Sequence, residues 1–568
     1  MKKEAITFEN FTFRYNSQIE PTLIDINLTV YQGEKLLVIG PSGSGKSTLG
    51  HCINGLIPFS YTGELTGKLR VLGEDTSKLG IFGLSKHVGT VLQDSDSQFI
   101  GLTVGEDIAF SMENECVETP VMQQRVMASA LLVDMGDFLA ANPHQLSGGQ
   151  KQRVSLAGVL VNEVDILLFD EPLANLDPAT GKYAIELIDD LHRETGKTII
   201  IIEHRLEDVL HRGADRVILF DEGRIIADMP PSKLLEGDLL ERCGIREPLF
   251  ISALKKAGCQ VRADDHPERV GTFNLEPHRE KLLLWAQQDE SIADKIAGQN
   301  ILEVRDLEFR YQSGARAIKG ISFHVKQGEM LAIVGKNGAG KSTLSKLICG
   351  MEKPDRGTIF FEGRDISADT IKERSMRIGF AMQNPNHMIS KTMIYDEVAM
   401  GLRAMKVPEE IIREKVQHIL KICGLHPFRK WPVAALSYGQ KKRVTIASIL
   451  VMDVKVLILD EPTAGQDYRH YTEIMEFLRG LNEQNSITII MITHDMHLAL
   501  EYTNRAIVVA DGVKIADSTV AEIFSNEEVI AAANLKKTSL YDLASQMGIS
   551  PEVFTNRFIA SERGNGQK

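Results

Sequence analysis

The chain is poor in cysteine. Its 568 residues hold six, scattered and without a C-x-x-C pair, so zinc and iron–sulfur centres built on paired thiolates are not expected, and buried free thiols are. It also lacks any run of roughly eighteen apolar residues, the length that spans a bilayer, so no transmembrane helix is expected. The opening MKKEAITFENFTFRY has no apolar middle of the kind a secretory signal carries, and a reducing cytoplasm fits. Positive charge is in deficit: 64 Lys and Arg against 77 Asp and Glu leave a formal net charge of −13. That argues against a protein whose main work is coating phosphates, because such binding rests on clustered cations. What is present is ordinary for a soluble globular protein, 43% hydrophobic and 25% charged residues. The length is too great for one core, and two large domains are expected.

The chain says everything twice. GPSGSGKST (40–48) returns as GKNGAGKST (335–343), and LLFDEP (167–172) returns as LILDEP (457–462). TIIII followed by Glu203-His204 returns as TIIMI followed by Thr493-His494, and LSGGQ (146–150) returns as LSYGQ (436–440). Gln93 and Gln383, Ser147 and Ser437, Asp170 and Asp460, His204 and His494 are each 290 positions apart, whereas Lys46 and Lys341 are 295 apart. The first copy therefore carries five extra residues, around IPFSYTGELTG. Constant spacing over this distance means duplicated domains. Each copy opens with alternating segments, ITFENFTFRY and ILEVRDLEFRY, followed by an apolar strand that enters the glycine loop. The alternation of apolar runs and helical segments afterwards predicts an α/β fold with a buried, mainly parallel sheet. The expected domains are 1–235 and 300–525. Residues 236–299 are expected as an accessory segment and linker, and 526–568 as a helical tail. The stretch from about Pro231 to Asn300 reads as unique to the first half.

Each glycine loop fits G-x-x-x-x-G-K-S between a strand and a helix. The loop is formed by Gly40, Pro41, Ser42, Gly43, Ser44 and Gly45 in the first copy, and by Gly335, Lys336, Asn337, Gly338, Ala339 and Gly340 in the second. Glycines let backbone N–H groups approach phosphate oxygens, and the following helix N-terminus adds a favourable dipole. Lys46 and Lys341 then reach phosphates, Ser47 and Ser342 offer hydroxyls to Mg²⁺, and Thr48 and Thr343 complete the loops. The apolar strands LLFDE and LILDE deliver Asp170 and Asp460 as Mg²⁺ partners. Glu171 and Glu461 follow as candidate bases for the attacking water. A buried acidic pair without a function would be costly.

These motifs resemble those of the ATP-binding-cassette (ABC) nucleotide-binding domains, over nearly the whole chain except the linker and tail; LSGGQ and LSYGQ match the family's signature. The resemblance implies two tandem P-loop NTPase domains, each with a mainly parallel core sheet, an antiparallel β subdomain and a helical signature subdomain. It implies ATP and Mg²⁺, and two ATP sites sandwiched between the halves. Site one takes Lys46, Ser47, Gln93, Asp170, Glu171 and His204, with Ser437 and Gly439 from the other half. Site two takes Lys341, Ser342, Gln383, Asp460, Glu461 and His494, with Ser147 and Gly149. Gln93 and Gln383 are implied Mg²⁺ and nucleotide contacts, the histidines γ-phosphate sensors, and Tyr15 and Tyr311 the adenine-stacking aromatics. Tyr438 replaces a signature glycine. Were φ positive there, tyrosine would cost about 1–2 kcal/mol, and two hydrolytic sites with modest asymmetry are expected.

The segment QDSDSQFIGLTVGEDIAFSMEN (93–114) resembles the matching stretch of energy-coupling-factor (ECF) importer ATPases. There it lines a groove for short helices of a transmembrane scaffold, with acidic residues meeting the scaffold's arginines. Asp94, Asp96, Glu106, Asp107, Asp396 and Glu397 are the candidates by position. The implied partners are that scaffold and a small substrate-binding membrane subunit, at the cytoplasmic face of the cell membrane, with no nucleic acid. Thiamine or its hydroxymethylpyrimidine precursor is the implied cargo. The alternative is a soluble twin-cassette ATPase acting on the ribosome or nucleic acid. The acidic balance and the prolines of the linker argue against it.

Overall fold

The computed structural model describes residues 2–92, 98–174, 176–288, 298–312, 314–464 and 466–565. The chain divides into two compact units, residues 1–282 and 283–568.

In the first unit the strands are β1 (Glu4–Tyr15), β2 (Leu23–Tyr31), β3 (Lys35–Ile39), β4 (Gly63–Val71), β5 (Glu74–Asp75), β6 (Val88–Val91), β7 (Ile166–Asp170), β8 (Thr198–Ile202), β9 (Arg216–Asp221) and β10 (Arg224–Met229). Six of them form the core sheet in the order β10-β9-β3-β8-β7-β6. It is parallel throughout except for the antiparallel edge strand β10. Every residue of β3, β7 and β8 is buried, as a parallel sheet covered on both faces requires. Successive side chains go to opposite faces. Leu37, Ile39, Ile199 and Ile201 pack toward the helices, whereas Leu36, Val38, Ile200 and Ile202 pack toward Phe8, Phe11 and Phe13 of the antiparallel sheet β2-β1-β4-β5. Helices Val104–Asn114, Thr119–Leu132 and Gly148–Leu160 build the helical subdomain between β6 and β7.

The second unit repeats this plan with β11 (Asn300–Arg310), β12 (Arg316–Lys326), β13 (Met330–Val334), β14 (Arg356–Phe361), β15 (Arg364–Asp365), β16 (Ile378–Ala381), β17 (Val456–Asp460), β18 (Thr488–Ile492), β19 (Arg505–Ala510) and β20 (Val513–Thr519). Its sheets run β16-β17-β18-β13-β19-β20 and β12-β11-β14-β15. Both units thus have the expected mainly parallel core, antiparallel sheet and helical subdomain.

The duplication extends further than the sequence reading allowed. After β10 come helices Pro231–Glu236, Leu239–Arg242 and Leu249–Lys256, closed by Gly258 at φ 74°. After β20 come Val520–Ser525, Glu527–Ala532 and Ser539–Met547, closed by Gly548 at φ 71°. Gly258 and Gly548 are again 290 positions apart. The stretch after Pro231 is therefore not unique to the first half in its opening part. Few side chains match there, but the spacing of buried positions does: Phe250, Ala253 and Leu254 against Leu540, Leu543 and Ala544. Beyond these glycines the two tails diverge.

Candidate functional site

Each glycine loop joins the end of a buried strand, β3 or β13, to a helix, Lys46–Ile53 or Lys341–Ile348. Gly45 and Gly340 both sit at φ 105°, where a Cβ would come within 2.8 Å of Thr22 O and 2.7 Å of Ala317 O. Glycine is required at both places. Lys46 Nζ donates to the carbonyls of Gly40 and Pro41 at 2.8 Å each, and Lys341 Nζ to those of Gly335 and Lys336 at 2.7 and 2.9 Å. Each ammonium is thereby curled over its own loop. The buried Ser44 Oγ has no hydrogen-bond partner among the described residues, and Ala339 stands in its place in the second copy. A glycine loop at a helix N-terminus and an ammonium, with a spare hydroxyl in the first unit, form a cradle suited to phosphate oxygens. Tyr15 and Tyr311 are tethered beside the loops. Their hydroxyls lie 3.2 Å from Thr48 Oγ1 and 3.0 Å from Thr343 Oγ1, and each ring meets a phenylalanine edge-on. In the first unit alone the extra residues add Tyr61, with its ring 6.4 Å from that of Tyr15.

β7 and β17 place the aspartates next to these loops. Ser47 Oγ donates to Asp170 Oδ1 at 3.3 Å. Burial, with the charge of Glu171 adding to it, pushes the Asp170 carboxyl up to about 6. Burial also raises Asp460, against a hydrogen bond from Ser342. A hydroxyl and a carboxylate held together with excess negative charge are a fitting oxygen set for a hard divalent cation. Glu171 and Glu461 come next, at φ 49° and 48°, and each N–H is pinned to a neighbouring-strand carbonyl, Ile202 at 2.8 Å and Ile492 at 2.9 Å. Left-handed glutamates are strained by about 1–2 kcal/mol, and such strain concentrates at functional sites.

The two copies part at the histidines. In the second unit His494 Nδ1 lies 2.7 Å from Glu461 Oε1, and Thr493 Oγ1 donates to Glu461 Oε2 at 3.3 Å. In the first unit His204 Nδ1 lies 4.0 Å from Glu171 and only 3.2 Å from Glu203, which replaces the threonine. Glu203 is 0% exposed, and its oxygens accept from Leu173 N, His204 N and Arg205 N at 3.1, 2.9 and 3.2 Å. Burial raises the Glu171 carboxyl; the His204 charge opposes the rise and the Glu203 charge adds to it. Glu203 was given no role in the sequence reading. The available signal was an acid at the end of an all-apolar strand where the other copy has threonine.

Ser147 and Ser437 cap the signature helices Gly148–Leu160 and Tyr438–Leu450, each in a reciprocal capping box with Gln150 or Gln440. Gly149 and Gly439 lie in the first turns of these helices. Neither Gly148 nor Tyr438 has positive φ, so the condition for strain at Tyr438 is not met. A Cβ at Gly148 would meet only Leu176 Cδ2 at 3.7 Å. Tyr438 OH donates to the Gln383 carbonyl at 3.3 Å. Lys442, where the first copy has Gln152, donates to the carbonyls of Glu461 and Pro462. Burial lowers its ammonium to about 8, against the pull of Glu461. Gln93, Asp94 and Asp96 lie outside the described residues.

The other acidic groove candidates each have partners within their own unit. Asp107 Oδ1 accepts from Ile100 N and Gly101 N at 2.8 and 3.1 Å, and Glu106 Oε2 from Leu102 N and Thr103 N at 3.0 Å. Glu397, 2% exposed, accepts from Ser390 N and Lys391 N at 2.9 and 2.7 Å, while Asp396 pairs with Arg403 at 2.8 Å. Capping charges near helix starts satisfy loop amides. Exposed apolar side chains stand among them: Ile100 and Leu102 in one unit, Met382 and Met400 in the other.

Within each unit, then, glycine loop, acidic pair and histidine are carried on adjoining strands of one sheet, while the signature serine caps a separate helix. Comparison with known proteins adds three findings. The ABC transporter family model matches residues 23–174 and 318–464, and a model described as an ATP-binding cassette cobalt transporter matches 237–309. A candidate ABC transporter ATP-binding protein of Vibrio vulnificus is 53% identical over 562 residues, covering 99% of this chain and 98% of its own. One of Clostridium perfringens is 54% identical over 564 residues, covering 99% of each chain. Among solved structures, cbiO1 from Clostridium perfringens, described as part of the ABC transporter complex cbiONQ, is 40% identical. It covers 44% of this chain and 99% of its own, with a TM-score of 0.39.

Proposed function

This chain belongs to the ABC transporter family as an ATPase with two cassettes, and from that premise we propose that it powers an energy-coupling-factor importer. The observation that carries this reading is the match of residues 237–309, which run from after the first cassette into β11 of the second, to a model described as an ATP-binding cassette cobalt transporter. The sequence resemblance of residues 93–114 to the scaffold-binding segment of such importers supports it. So do the exposed Ile100, Leu102, Met382 and Met400, which offer apolar surface to short helices of a membrane scaffold. Among the described residues no helix is long and apolar enough to cross a membrane, which suits a peripheral subunit at the cytoplasmic face. The cargo is chosen by a separate small membrane subunit. It is a vitamin precursor of the thiamine type or, in keeping with the description over 237–309, a transition-metal ion.

In this mechanism ATP closes the two halves, and hydrolysis and product release reopen them. The glycine loops and Lys46 and Lys341 hold the phosphates, with Tyr15 and Tyr311 against the adenines. Ser437 with Gly439 completes site one, and Ser147 with Gly149 completes site two. Glu171 and Glu461 orient and polarise the attacking water, and His204 and His494 hold the γ-phosphate end of each site. Ser47, Gln93 and Asp170, and Ser342, Gln383 and Asp460, would hold Mg²⁺, which supplies charge neutralisation to the phosphates when bound. The cassettes are proposed to span 1–235 and 300–525, each followed by its own copy of a repeated helical appendage that opens the accessory segment 236–299 and the tail 526–568.

The test is affinity purification of the tagged protein from detergent-solubilised membranes, with mass spectrometry of its companions. The expected result is a polytopic scaffold plus a small membrane protein. Ribosomal proteins or nucleic acid without a membrane protein would overturn the importer and leave the ATPase.

A further inference from the structure

The two acid–histidine pairs are built from matching strands, yet their contacts differ. Around Glu461, both carboxylate oxygens have a donor: His494 Nδ1 at 2.7 Å and Thr493 Oγ1 at 3.3 Å. Two donors fix the plane of a carboxylate and so the direction in which it addresses a water. Around Glu171, the threonine's place is taken by a second carboxylate, a group that accepts and does not donate. Glu203 is fully buried and anchored by three backbone amides, so it cannot swing away. It lies 3.2 Å from His204 Nδ1, which sits 4.0 Å from Glu171. Through Leu173 N the same carboxylate also ties down the loop that follows Glu171.

We infer that Glu203 is a positioning residue that draws His204 away from Glu171, so that the two ATP sites of this chain turn over at unequal rates, the Glu461 site being the faster. Glu203 also adds a fixed negative charge where the transition state of phosphoryl transfer already spreads negative charge over its oxygens. Both effects slow the Glu171 site, and neither weakens nucleotide binding by the glycine loop. The inference rests on the proposed roles of Glu171 and Glu461.

The experiment is steady-state ATP hydrolysis by the full-length chain with one base removed at a time. Glu461→Gln isolates the Glu171 site, and Glu171→Gln isolates the Glu461 site. Hydrolysis by the doubly substituted chain at the unsubstituted rate would show that these glutamates are not the bases, and the inference would fall with that assignment. With the bases verified, the Glu171→Gln chain is expected to retain the greater rate. Adding Glu203→Thr to the Glu461→Gln chain is expected to raise kcat about tenfold, with KM for ATP changed by less than about twofold. The isosteric Glu203→Gln should raise it in part. In the other unit, Thr493→Glu added to the Glu171→Gln chain should lower kcat by a similar factor. A merely structural role would move Tm and KM together without this gain of rate. Equal rates at the two isolated sites, with kcat unmoved by Glu203→Gln and by Thr493→Glu, would overturn the inference even if Glu203→Thr failed to fold.

Discussion

The two cassettes share a topology strand for strand, and two of the polar side chains in which they differ sit around the same carboxylate. In the second unit Thr493, His494 and Lys442 surround Glu461, by side chain or through its main-chain carbonyl. In the first, Glu203 takes the threonine's place and Gln152 the lysine's. A duplicated fold keeps its apolar strands because every buried face must be filled, whereas the groups that address a ligand are free to drift apart. The signature change at Tyr438 draws attention first, but its backbone is ordinary helix. The difference with chemical weight lies at residue 203.

The comparison can be broken most directly at Glu171 and Glu461, the glutamates proposed as bases. Glu461→Gln should lower ATP turnover by about tenfold, to the rate of the slower site, and Glu171→Gln should lower it less, as measured by phosphate release. The reverse order would mean that the first unit carries the faster site.

A smaller effect is expected at Lys442, whose ammonium is held near 8 by burial. Its unfolded value is higher, so the unfolded chain binds more protons between about pH 8 and pH 10.5, and the folded state gains stability as pH rises through that window. Below it the buried charge is fully penalised. Lys442→Gln, which restores the first unit's residue, should therefore raise stability near pH 7 by about 1–3 kcal/mol, a gain that fades toward pH 10. Thermal unfolding across that range checks the sign.

Removing the hydroxyl donor alone, in Thr493→Val, should reduce turnover at the Glu461 site by about fivefold, the worth of roughly one hydrogen bond. It should leave the Glu171 site unchanged, as single-site kinetics would show. Smallest of all, Tyr438→Phe loses one exposed bond to the Gln383 carbonyl and should change stability by less than about 0.5 kcal/mol. A larger loss of Tm would show that this bond holds the segment after β16 in place.

Much of this was legible in advance. Apolar runs such as IIII (199–202) and LLF (167–169) marked central strands, because a parallel sheet buries both faces. The glycine loops were legible because only glycine tolerates their backbone. The repeat of the tail was not, since its helices keep only the spacing of buried positions and few identities. The internal bonds of the groove carboxylates were not legible for a related reason. An acid in the first turn of a helix looks the same in sequence whether it faces a partner or caps its own loop, and Asp107 and Glu397 do the latter.

The sequence by itself determined the duplication, the order of the motifs and the residues of each phosphate cradle, because these depend on chain neighbours and on what a backbone can do locally. Only the tertiary structure decided which groups surround each glutamate proposed as a base. Glu171 and Glu203 lie more than thirty positions apart, and they meet because β7 and β8 are adjacent in the sheet. At that range a single side chain, threonine or glutamate, decides whether a histidine turns toward one carboxylate or another, since hydrogen bonding and charge act over a few ångströms in space and are blind to separation along the chain.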